Sequence, residues 1–126
     1  MATPEQQKQL QALSDEYTNL QTELQTTIAA RQKLESQQQE NKSVQKEFST
    51  LSEDANIYKL VGPVLLKQDT TEAKSTVEGR LDFIEKEIKR IEKQITDIQQ
   101  KSEEKKMEVF QLQTQIQQSQ PEAQAA

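Results

Sequence analysis

The sequence contains no cysteine, no histidine and no tryptophan. Without cysteine there is no disulfide framework and no thiolate metal site. Without histidine the commonest general base and the commonest metal ligand are missing. Glycine occurs twice and proline three times in 126 residues, so the chain has few places to turn. Hydrophobic residues make up 32% and aromatics 4%, against roughly 45–50% apolar in ordinary globular proteins. A compact, layered core is therefore not expected. The longest apolar run, residues 60–66, is broken by Gly62-Pro63 and falls far short of the ~20 residues of a membrane-spanning helix. The first residues, Met1-Ala2-Thr3-Pro4-Glu5-Gln6-Gln7, lack the charged-then-apolar pattern of a secretory signal. A cytoplasmic location is expected. The net charge is −5 with acids and bases interspersed, which leaves no basic patch for nucleic acid or an anionic membrane. An enzyme is not expected: carboxylates are plentiful, but no pocket is foreseen that would shift their pKa values. No phosphate-binding glycine loop is present and no cofactor is expected.

What the chain does have is helix formers. Gln fills 22 positions, and charged residues contribute 29%. Such a composition suits either disorder or long exposed helices, and periodicity decides between them. In the second half, Val77, Leu81, Ile84, Ile88, Ile91, Ile95 and Ile98 recur at spacings of 4 and 3, with Glu85, Lys86, Glu87, Lys89, Arg90, Glu92 and Lys93 on the flanks. That is a narrow coiled-coil seam with wet sides. Ser102 and Lys105 interrupt it, and Val109, Leu112 and Ile116 resume it in phase. The first half repeats the pattern more loosely through Leu10, Leu13, Tyr17, Leu20 and Leu24. Ile28 and Leu34 follow, with Arg31, Gln38 and Asn41 at or near seam positions, then Val44, Phe48 and Leu51. Polar seam residues weaken a coiled coil but specify its register.

The ends are punctuated. Thr3-Pro4-Glu5-Gln6 reads as a helix N-cap with a residue able to complete a capping box, and Asp69-Thr70-Thr71-Glu72 gives the same signal again. Asp54-Ala55-Asn56 is a stop for the first helix and Pro121 for the second. The expectation is a single domain over residues 1–126: helix 1 over 4–53, a β-hairpin over 57–68, helix 2 over 71–119 and a disordered tail over 120–126. Each helix would be on the order of 70 Å long. The fold class is mainly α, a long antiparallel two-helix coiled coil with a central β-hairpin. Antiparallel pairing would place Leu13 near Leu112 and Val44 near Leu81. Gly79, mid-helix, costs about 1 kcal/mol against alanine. It reads as a tolerated defect, a close helix contact or a hinge.

Between the helices, the residue types switch to β-branched, aromatic and apolar around Gly62-Pro63, which marks the hairpin. Val64-Leu65-Leu66 is apolar on both faces, as buried strands are. An isolated hairpin is marginal in water and its edges invite pairing. Ile57, Tyr58, Leu60, Val61, Val64, Leu65 and Leu66 are therefore expected to join hairpins of other chains in a shared sheet or barrel.

The run Ile57-Tyr58-Lys59-Leu60-Val61-Gly62-Pro63-Val64-Leu65-Leu66-Lys67-Gln68-Asp69 closely resembles the central hairpin of β-class prefoldin subunits. Glu72-Ala73-Lys74, Val77, Arg80-Leu81-Asp82-Phe83-Ile84 and Glu87-Ile88-Lys89-Arg90 match that family's second helix. Arg31-Gln32-Lys33-Leu34-Glu35 with Glu40-Asn41 looks like the eukaryotic version of its first. The resemblance covers nearly the whole chain and is most specific over 31–90. It implies a hexamer of two α-class and four β-class subunits, whose hairpins form a β-barrel carrying the coiled coils as tentacles. It implies that the tentacle ends hold unfolded proteins, actin and tubulin among them, and pass them without ATP to the cytosolic group II chaperonin. Leu10, Leu13, Tyr17, Met107, Val109, Phe110, Leu112 and Ile116 are the candidates for that contact. The same residues also read as ordinary coil seam, although Met107 and Phe110 lie off it. A structural or tethering scaffold is the alternative function, and it would have no use for a doubly apolar hairpin.

Overall fold

The computed structural model describes residues 2–52 and 55–119. Along them run α1 (Pro4–Thr50), β1 (Ile57–Val61), β2 (Val64–Gln68) and α2 (Thr70–Gln118). The first helix starts on a complete capping box. The Gln6 backbone N–H donates to Thr3 Oγ1 at 3.1 Å, and the Thr3 N–H donates to Gln6 Oε1 at 3.0 Å. Pro4 occupies the first helical position, where its missing N–H has no partner to lose. The second helix is capped by Asp69, whose Oδ2 accepts from the Glu72 N–H at 3.2 Å. It begins at Thr70, one residue before the expected start at 71.

Helix α1 ends at Thr50, short of the expected 53. The hydroxyls of Ser49 and Thr50 donate to the carbonyls of Lys46 and Glu47 at 2.6 and 2.8 Å. The Leu51 N–H turns back only three residues, to Phe48 O at 3.4 Å. Short hydroxyl side chains that bond the backbone compete with the helix ladder, and a tightened last turn closes it. The stop expected at Asp54, the end of helix 2 at Pro121 and the tail over 120–126 lie outside the described residues.

The strands form an antiparallel hairpin in which Ile57 faces Gln68, Tyr58 faces Lys67, Lys59 faces Leu66, Leu60 faces Leu65 and Val61 faces Val64. Gly62 and Pro63 form the two-residue loop. Gly62 sits at φ +60, the first central position of a type II′ turn, where an L side chain is disfavoured. Proline's fixed negative φ suits the second position.

The chain divides into two compact units, Met1–Ala29 with Glu92–Ala126, and Ala30–Ile91. In the second unit, Ile57, Ala73, Val77, Ile84, Ile88 and Ile91 are buried. In the first, Ile98 and Leu112 are the buried apolar side chains among the described residues. Each unit is a pair of antiparallel helix segments closed by a narrow seam, and the first is the more thinly sealed. The seam follows the expected heptad in α2 throughout: every position from Val77 to Ile116 is buried or half-buried. In α1 it departs at Ile28 and at Val44. Thr27 is half-buried and Ile28 is exposed, because the 3–4 stepping from Leu20 and Leu24 lands on Thr27. Val44 is also exposed, whereas Phe48 remains half-buried.

Candidate functional site

Two surfaces carry unsatisfied apolar side chains. The first is the hairpin. Side chains alternate across a strand, so the register puts Tyr58, Leu60, Leu65 and Lys67 on one face. Ile57, Lys59, Val61, Val64, Leu66 and Gln68 lie on the other. Leu60 is 67% and Leu65 63% exposed, and Val61, Val64 and Leu66 on the opposite face are about half exposed. Both faces are thus apolar and wet. Ile57 differs from the rest of the expected assembly set. It is 8% exposed and lines a groove with Val44, Phe48, Ala73 and Val77. It packs the hairpin against the chain's own helices. Val44 lies in this groove with Thr76, Val77 and Arg80, about one helical turn from the Leu81 position expected opposite it.

The second surface is the outer end of the first unit, residues 4–17 with 105–118. Leu10, Leu13, Tyr17, Val109 and Ile116 are half-buried here, and Leu112 is buried. Off the seam, Phe110 is 64% exposed and Met107 is also exposed. Two polar contacts cross between the helices at the inner limit of this end. Gln21 Nε2 donates to Ser102 Oγ at 2.5 Å, and Lys105 Nζ pairs with Glu16 Oε2 at 2.8 Å. Ser102 is 5% exposed. Lys105 also meets Glu108 of its own helix at 3.4 Å. The hydrogen bond to Glu16 holds the Lys105 ammonium's pKa above the usual lysine value. These contacts set the register. They place Leu13 opposite Val109 and Leu10 opposite Leu112, about one helical turn from the expected pairing of Leu13 with Leu112.

Sequence reasoning identified Ser102 and Lys105 as seam interruptions but not their partners Gln21 and Glu16, which lie beside the α1 seam in a Gln- and Glu-rich stretch. It named Phe83 only within the family's second-helix match and gave it no site role; the side chain is exposed on α2 and lines a shallow groove with Gln37, Asn41, Thr76, Gly79 and Arg80. Among the described residues, no group of three or more acidic, His or Cys side chains could hold a metal ion, and no helix is long and apolar enough to cross a membrane.

Comparison with known proteins agrees with this architecture. A family model described as "Prefoldin subunit" matches residues 11–117. The chain is 44% identical over 114 residues to prefoldin subunit 6 of Bos taurus, covering 90% of this chain and 88% of that protein. It is 50% identical over 100 residues to prefoldin subunit 6 of Saccharomyces cerevisiae, covering 79% and 88%. This is the subunit type suggested by the first-helix residues 31–35 and 40–41. Among solved structures, the prefoldin beta subunit from Thermococcus strain KS-1 superposes with a TM-score of 0.74 at 25% identity, covering 80% of this chain and 89% of that one. The chain belongs to the prefoldin subunit family: it is a non-enzymatic subunit of a chaperone complex, and its partners are other prefoldin subunits.

Proposed function

We propose that the chain acts as one domain of a cytoplasmic, ATP-independent hexamer of two α-class and four β-class subunits. In this reading its hairpin completes a shared β-barrel, and its coiled-coil end binds unfolded proteins, actin and tubulin among them, for transfer to the group II chaperonin. The observation that carries the reading is the hairpin, which exposes apolar side chains on both faces and has no helix of its own left to cover them. Burying one such side chain in a barrel contributes roughly 1.5–3 kcal/mol. Six per subunit, from Tyr58 to Leu66, make assembly the favoured outcome.

Client binding is supported by the thin seam of the first unit. A coil sealed by few buried residues opens at low cost. Once open, Leu10, Leu13, Tyr17, Val109, Leu112 and Ile116 offer an apolar strip, beside which Met107 and Phe110 are exposed already. Methionine adapts to irregular partners, and several tentacles acting together convert weak contacts into avidity. The test is suppression of aggregation of a chemically unfolded client by the reconstituted hexamer. Leu13→Ser, Phe110→Ser and Leu112→Ser together are expected to abolish suppression with the hexamer intact. Undiminished suppression contradicts the reading.

A further inference from the structure

We propose that Gln21, Ser102, Glu16 and Lys105 form a latch that fixes the inner limit of coil opening, so that client contact is confined to the helices outside it. The inference rests on the client-binding reading above and deepens it by naming where the binding surface begins. Ser102 is a buried seam position between Ile98 and Lys105, and the next buried apolar side chain beyond it is Leu112. A serine there weakens the apolar seal, and its hydroxyl oxygen accepts from Gln21 Nε2 of the opposite helix. One turn further out, Lys105 occupies the next seam position and reaches Glu16 across the pair. Polar layers of this kind forbid sliding, because every shifted register leaves their members facing apolar side chains. They also divide the seam, since cooperative apolar packing does not run through them.

The outer segments are equipped to separate without unfolding. Helix α1 begins on its own capping box between Thr3 and Gln6. Gln11 Nε2 donates to Asp15 Oδ1 within the same helix at 2.9 Å. Lys105 has a second carboxylate, Glu108, on its own helix at 3.4 Å, so its charge keeps a partner after Glu16 leaves. On the inner side of the latch, Ile98 is buried and Leu24 is half-buried, which keeps that part of the unit closed. The exposed seam then comprises Leu10 and Leu13 with Val109, Leu112 and Ile116, and excludes Leu24 and Ile98, while Tyr17 lies within the latch between Glu16 and Gln21.

The experiment is hydrogen exchange on the chain assembled with its sister subunits, alongside suppression of aggregation of urea-unfolded client. Gln21→Leu with Ser102→Ile replaces the polar layer by an apolar one. Amides of residues 6–16 and 106–117 are expected to exchange at least about tenfold more slowly, and client suppression is expected to fall several-fold. Lys105→Gln, which keeps helix propensity, is expected to speed exchange of those same amides and leave those around Leu24 and Ile98 unchanged. Slower exchange with undiminished suppression upholds the latch and overturns the tip-binding reading instead. Unchanged outer exchange in the apolar-layer variant overturns the latch, as does acceleration in Lys105→Gln that spreads evenly to Leu24 and Ile98.

Discussion

Leu60 and Leu65 face each other across the hairpin, and both lie open to solvent. A paired leucine couple with nothing above it is the clearest sign that the chain is one part of a larger assembly. Replacing both with serine removes apolar area that the chain itself does not bury, so the helices are expected to keep their circular dichroism. Co-assembly with sister subunits, read by native mass spectrometry, is expected to be lost. Replacing Ile57 with serine is expected to act differently: it uncouples the hairpin from its own helices, at about 2–4 kcal/mol for a large buried side chain, and lowers the melting temperature of the chain.

Phe110 separates client binding from coil stability. Its ring is mostly exposed, so Phe110→Ser is expected to shift stability by no more than about 0.5 kcal/mol and to weaken client capture measurably. Leu112→Ser removes a buried seam residue and is expected to lower both. Thermal melts and aggregation assays on the two single variants check the contrast.

Gly79 is not a close helix contact. A Cβ built there meets nothing within 4 Å, and the glycine has no positive φ. Gly79→Ala is therefore expected to stabilise the chain by about 0.5–1 kcal/mol, read as a rise in melting temperature. A fall would point to a hinge that needs the glycine.

Two surface ion pairs give stability opposite dependences on pH. Arg90 Nη2 donates to Glu87 Oε2 at 2.7 Å, and this bond holds the Glu87 carboxyl below its usual pKa. Its stabilisation is present above the ordinary glutamate value and is lost as pH falls through the lowered folded one. Lys105 is raised by its bond to Glu16, so its stabilisation is complete below the ordinary lysine value and is lost as pH rises through the raised one. Melts of Glu87→Gln are expected to converge with the parent in acid, and those of Lys105→Gln in alkali. Both effects are small and shrink with added salt.

The α2 seam was legible because isoleucines and leucines occupy nearly every seam position between Val77 and Ile98. The α1 seam was harder to read. Thr27, Arg31, Gln38 and Asn41 hold seam positions without apolar side chains, and Ile28, one residue off, took the place of Thr27 in the pattern. The hairpin and both caps were legible because Gly62-Pro63, Thr3-Pro4 and Asp69 have strong local preferences. The register of the pair was not legible. A heptad seam repeats itself, and only cross-helix contacts such as Gln21 with Ser102 choose among its offsets. The burial of Ile57 was equally hidden, since strand alternation does not say which face meets the helices.

The claim on which the account turns is that the hairpin is completed by other chains. Native mass and hydrogen exchange of the chain alone and mixed with α-class and β-class sister subunits test it most directly. The account predicts a six-subunit particle in which amides of residues 57–68 become protected, and a lone chain in which they exchange freely or the protein self-associates. A stable lone monomer with those amides already protected, and no gain on mixing, would contradict it.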